Sequence, residues 1–205
     1  MKMRKGWVVL CGISLFQLSV SVRSQSIPVT ENKILHDGRN LSYREYGRSD
    51  GEPVFYFHGF PSSGIELMLD DCRNIAQDLN LRIIAVNRPG YGNSDFQHNR
   101  ALLDWPNDIS ELADSLGIKK FSVLGVSGGG PYAIACAYKI PDRLNNVGVV
   151  SGVGPYHAPE TKHGAAGPIL KSPRFIRKLI LMGLRKAIEN NPDKVAKKMK
   201  KRFTE

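Results

Sequence analysis

The chain has 205 residues, 41% hydrophobic and 23% charged, which suits one globular domain or a domain with a small appendage. Its net charge of +10 sits at the two ends: residues 24–161 carry 12 Lys and Arg against 16 Asp and Glu, whereas residues 162–205 carry 13 against 3. Binding to nucleic acid would need basic residues on a recognisable binding fold, and the mildly acidic middle sets that class aside.

Residues 1–24 read as a secretory signal peptide. Lys2, Arg4 and Lys5 make a positive start, Trp7 to Val22 is mostly apolar, and Val22 and Ser24 suit a cut before Gln25. The run is short for a bilayer-spanning helix, which needs about 20 apolar residues; the alternative is an uncleaved, membrane-anchoring signal. The expected localisation is therefore secreted. In a eukaryotic secretory route Asn40-Leu41-Ser42 is a glycosylation acceptor. Only Cys72 and Cys136 would remain after cleavage. They fall in predicted helices, as small buried hydrophobes and not a disulfide framework.

Residues 25–155 then alternate strands and helices. Ile34 and Leu35 end one strand, His36-Asp37-Gly38-Arg39 turns, and Leu41 to Tyr46 alternates as the next, so His36 reads as a turn residue. Val54 to Phe57 is a buried strand entering His58-Gly59-Phe60-Pro61-Ser62-Ser63, a loop whose Gly and Pro fix outward-pointing N–H groups. A helix is predicted over Ile65 to Leu79, a strand over Arg82 to Val86, a loop over Asn87 to Gly92, and a helix over Leu102 to Leu116, stopped by Gly117. The short apolar run Phe121 to Val126 makes a strand and the Ala-rich run Pro131 to Tyr138 a helix. Between them lie Gly125, Val126, Ser127, Gly128 and Gly129. A strand that turns at once into a helix puts Ser127 on a tight bend, with its hydroxyl clear of the sheet and beside a helix N-terminus. Asn146 to Val153 is the last strand of this series. The alternation predicts an α/β fold: a mostly parallel sheet with helices on both faces.

Residues 156–205 change character. Phe175 to Ile188 is an amphipathic helix, and Lys194 to Arg202 is a mostly Lys helix. The charge run reads as a solvated helix face, with weak contact to an acidic membrane surface as the sharper alternative.

Three ordered stretches carry a family resemblance: HGFPSS at His58 to Ser63, NRPGYGNSD at Asn87 to Asp95, and GVSGGGPYA at Gly125 to Ala133. With the strands before them, they resemble the α/β-hydrolase superfamily, in its members with a Ser nucleophile. The resemblance covers roughly Ile27 to Tyr156. It implies that Ser127 is the nucleophile, that Gly128 and Phe60 supply the two oxyanion N–H groups, and that His58, Gly59, Gly125 and Gly129 shape the loop and the elbow. A fixed oxyanion donor is worth about 3–4 kcal/mol. Asn87 stands where the family often has Asp, at a position that is structural as a rule. No cofactor and no metal is expected.

A serine hydroxyl needs a base, and the base an acid to hold it. In the family these follow the nucleophile in the order acid, then His. After Ser127 the only Asp are Asp142 and Asp193, and the only His are His157 and His163. None is placed after a core strand near the site, and Ser151 and Gly152 occupy the alternative acid position. The expectation is a hydrolase truncated at its C-terminus, with six strands and a partial, basic cap segment. It would act on ester or related acyl bonds of a small molecule through an acyl-enzyme, with turnover impaired by the missing acid and base. The alternative is a non-catalytic truncated homologue or binding module.

Overall fold

The structure is a computed structural model that describes residues 28–68, 72–155, 172–191 and 194. The signal segment, His157, His163, Asp193 and most of the Lys-rich end fall outside the described residues.

The apolar runs form one six-stranded sheet: β1 (Glu31–Ile34), β2 (Asn40–Gly47), β3 (Glu52–Phe57), β4 (Leu81–Val86), β5 (Phe121–Val126) and β6 (Leu144–Val150). Their order is β1-β2-β4-β3-β5-β6. The His36 turn makes β1 and β2 antiparallel, and β2 runs antiparallel to β4, whereas β4, β3, β5 and β6 are parallel neighbours. Parallel strands need crossovers, and helices supply them. These are α1 (Cys72–Asp78), α2 (Trp105–Ser115) and α3 (Gly130–Lys139); a fourth helix, α4 (Arg174–Asn190), follows later.

Strand period two divides the core between two faces. On one face Phe55, Phe57, Ile84, Val86, Phe121 and Val123 pack under α2 and α3, which contribute Trp105, Ile109, Leu112, Ala133 and Cys136. Aromatic edges lock this layer: Phe55 and Phe121 lie 4.6 Å apart, and Phe57 and Trp105 5.3 Å. On the other face Tyr46, Tyr56 and Ala85 pack with Leu67, Met68 and Leu124, beside α1. The expected helices on both faces are therefore present.

Element boundaries depart from the sequence pattern in three places. The long helix expected over Ile65 to Leu79 is a 3-10 turn (Gly64–Met68) and α1, with residues 69–71 not described. Leu102–Asp104 is likewise a 3-10 turn ahead of α2, because Pro106 lacks the N–H that a continuous helix would need there. β6 stops at Val150, where Ser151 takes a left-handed φ of 48°, so the strand does not reach Val153. The glycosylation expectation also meets an obstacle. Asn40 Nδ2 donates to Asn32 Oδ1 and to the Asn93 carbonyl, and Ser42 is buried.

Candidate active site

β5 delivers its chain to one point. After Val126, Ser127 takes φ 49°, a left-handed conformation that costs a non-glycine residue roughly 1–2 kcal/mol. A 3-10 turn over Ser127–Gly129 then runs directly into α3, with Pro131 in its first turn, where a missing N–H does no harm. The bend closes only because two neighbours lack a side chain. A Cβ on Gly125 would sit 2.5 Å from the Gly129 carbonyl oxygen, and one on Gly129 would collide with the Phe57 carbonyl. Ser127 stays partly exposed, at the positive end of α3, where developing negative charge is favoured. Its carbonyl accepts the Val153 N–H at 3.0 Å, which ties the bend to the end of β6.

The loop after β3 comes to the same place. A Cβ on Gly128 would lie 3.2 Å from Phe60 Cβ and 3.4 Å from the Phe60 nitrogen. One on Gly59 would lie 3.6 Å from Ser127 Cβ. Stretches separated by about seventy residues thus place Phe60, Gly128 and Ser127 side by side. Among the described residues the Phe60 N–H donates to no backbone acceptor. Two such N–H groups close together can hold one oxygen that gains negative charge.

His58 braces this loop. It is fully buried and lies edge-on to Tyr91 at 5.0 Å. Burial pushes its imidazole down to about 4, with the nearby Arg88 charge as a further cause, so the ring is neutral at pH 7. Its Nε2 accepts the Arg88 backbone N–H at 3.2 Å. That leaves Nδ1 to carry the proton and donate to the Gly59 carbonyl at 2.8 Å. With both nitrogens engaged, His58 is a loop brace and has no lone pair to offer a substrate.

Two further residues of this neighbourhood, Glu66 and Arg88, were not singled out from sequence. Glu66 Oε1 accepts the Gly59 N–H at 3.0 Å and the Tyr56 hydroxyl at 2.5 Å. Arg88 is buried; its Nη2 donates to the Gly59 carbonyl and its Nη1 to the Gly128 carbonyl, both at 2.9 Å. Tyr132 and Tyr91 cover its guanidinium, each ring centroid 4.9 Å away. Asn87, expected to be structural, uses both ends of its amide. Oδ1 accepts the Gly64 N–H at 2.7 Å and Nδ2 donates to Ser42 Oγ at 2.8 Å. A carboxylate would have no proton for the second bond, which gives Asn a reason to be there.

Among the described residues no imidazole or carboxylate hydrogen-bonds the Ser127 hydroxyl. Asp142 sits in the turn before β6, and β6 runs parallel to β5, so it lies at the opposite end of the sheet from Ser127. His98 packs on Phe96 at 4.9 Å. Among the described residues no cluster of His, Cys, Asp and Glu could hold a metal ion.

Residues 52–191, more than half of the chain, match the family described as the alpha/beta hydrolase fold. This chain belongs to that family. Among curated relatives of this α/β hydrolase, a non-heme chloroperoxidase of Streptomyces lividans is 33% identical over 124 residues, 58% of the chain and 43% of the relative. A proline iminopeptidase of Neisseria gonorrhoeae is 30% identical over 116 residues, covering 55% of the chain and 36% of the relative. The uncharacterized hydrolase YcgS of Bacillus subtilis is 30% identical over 151 residues, 72% of the chain and 51% of the relative. The α/β hydrolase described here thus spans about half, or less, of the length of these relatives. Among solved structures, a hypothetical protein of Pseudomonas aeruginosa superposes with a TM-score of 0.53 at 27% identity, over 65% of this chain and 46% of that one. The epoxide hydrolase CorEH does so with 0.55 at 23% identity, over 61% and 42%, and shows the shared fold.

Proposed function

We propose that this α/β hydrolase cleaves ester or related acyl bonds of small molecules through Ser127. The observation that carries the reading is the convergence of a partly exposed serine at φ 49° with Phe60 and Gly128, at the N-terminus of α3. In the proposed reaction the Ser127 oxygen attacks the substrate carbonyl and its proton passes to a base. The carbonyl oxygen gains the charge, and the Phe60 and Gly128 N–H groups hold it, each worth about 3–4 kcal/mol. The alcohol or amine leaves with a proton, and water then releases the acid from the acyl-serine. Serine at the elbow favours acyl chemistry over the superfamily's dehalogenases and epoxide hydrolases, which use Asp there.

Turnover by these 205 residues is expected to be slow, because no base touches Ser127 among the described residues. The same observation favours a second reading, a non-catalytic homologue that keeps the fold. A fluorophosphonate probe separates the two. The first reading expects labelling of the wild-type chain at Ser127 and none of Ser127→Ala. A folded wild-type chain that the probe leaves untouched supports the second.

A further inference from the structure

Arg88 is 4% exposed, and among the described residues no carboxylate pairs with it. Taking a cation out of water is costly unless other acceptors replace the solvent. Here the acceptors are two backbone carbonyls, Gly59 at 2.9 Å and Gly128 at 2.9 Å, with His58 Nε2 at 3.5 Å from Nε and the Tyr91 and Tyr132 ring centroids each 4.9 Å away. An arginine kept in this way costs stability that an apolar side chain of similar volume would not, and what it holds suggests why it is there.

The Gly59 carbonyl and the Phe60 N–H are the two ends of one peptide group. That group is planar, so the direction of the C=O fixes the direction of the N–H. The Gly128 carbonyl begins the next peptide after the Gly128 N–H. We propose that Arg88 is a positioning residue of the oxyanion hole. Its planar fork ties the Phe60 peptide to the Gly128–Gly129 peptide, setting the angle and separation of the two donors. Its charge on the Gly59 oxygen also polarises that peptide and strengthens the Phe60 N–H as a donor. His58 Nδ1–H converges on the same oxygen at 2.8 Å, so the carbonyl accepts two donors. Lysine cannot reproduce the fork, because a single ammonium offers no planar pair of donors. The inference rests on the proposed roles of Ser127, Phe60 and Gly128.

The test uses the full chain, Arg88→Lys and Arg88→Met, with two readouts: the rate of fluorophosphonate labelling at Ser127, and the Phe60 amide resonance in protein labelled with 15N-phenylalanine. In both variants labelling slows about tenfold, less than the roughly hundredfold or greater loss on deleting a donor. The Phe60 15N signal shifts, upfield in Arg88→Met, because its peptide carbonyl has lost the guanidinium fork that held it. A role in general stability alone would lower the melting temperature and leave Phe60 where it was. If Arg88→Met does not fold, Arg88→Lys decides. An unmoved Phe60 resonance in a folded variant overturns the proposal, and so does an unchanged labelling rate. If the wild-type chain is not labelled at all, the reading of Ser127 fails. The Phe60 resonance then still judges the placement of Arg88.

Discussion

At the scale of single residues, His58 has a measurable signature in acid. Its pKa is pushed down to about 4 by burial first and by the Arg88 charge second, against 6.5 for a free imidazole. Above 6.5 neither the folded nor the unfolded chain holds the proton. Between 6.5 and 4 only the unfolded chain does, so stability falls as pH falls, by roughly 1.4 kcal/mol per pH unit. Below 4 both states are protonated and the loss stops. The total is about 3 kcal/mol, lost entirely on the acid side. Urea denaturation at a series of pH values checks this in wild type and His58→Asn. The variant starts less stable but should lack that share of the acid slope. Equal slopes in the two proteins would mean that the imidazole is not held neutral. The same residue shows what sequence can reveal. The family resemblance implied that His58 shapes the loop, whereas nothing in the sequence singled out Arg88. The carbonyls it holds lie 29 and 40 positions away, and a backbone acceptor leaves no mark in the residue types.

At the scale of elements, ion pairs fasten the first hairpin to α2, the most buried of them between Arg39 and Asp108. Arg39, in the β1–β2 turn, donates from Nη2 to Asp108 Oδ1 at 2.7 Å and from Nη1 to Oδ2 at 3.1 Å. Asp108 is 5% exposed, and Arg39 also bonds Asp37 through Nε at 2.7 Å. His36 adds bonds from the same turn to Glu111 of α2 at 2.7 Å. Removing one member of a buried pair leaves the other charged and unsolvated. Asp108→Ala should therefore destabilise the fold by about 3 kcal/mol, well beyond Asp50→Ala in the exposed Arg48–Asp50 pair. Thermal melts of the two variants compare them directly, and equal losses would sink the distinction. The hairpin, the parallel strands and the elbow were all legible from period and turn residues. The fastening was not, because 69 positions separate Arg39 from Asp108 and either charge alone reads as solvated surface. Glu66 escaped for a similar reason: in an expected helix it looks like an exposed acid, whereas the 3-10 turn aims it at Gly59.

At the scale of the molecule, the sheet is finished unevenly among the described residues. β1 closes one edge with a short, polar strand, Glu31-Asn32-Lys33-Ile34. β6 forms the other with Leu144-Asn145-Asn146-Val147-Gly148-Val149-Val150, seven residues without a charge. Val147, Val149 and Val150 are 42%, 44% and 50% exposed, and Leu124 and Val126 of the next strand are only partly covered. An uncharged edge with free N–H and C=O groups is a template for another strand, and proteins usually guard such edges with Lys or Pro. The chain should therefore self-associate in proportion to its concentration. Light scattering after gel filtration should show the average mass rising across a dilution series. Val147→Lys puts a charge at the middle of the edge while its aliphatic stem still covers Val123, with which Val147 is in register. It should raise the monomer fraction at equal concentration and leave Ser127 labelling at the wild-type rate, since Val147 lies well down the strand from the elbow. A wild-type chain that stays monomeric throughout, or a Val147→Lys chain that associates just as strongly, would show that something other than the bare edge governs its behaviour in solution.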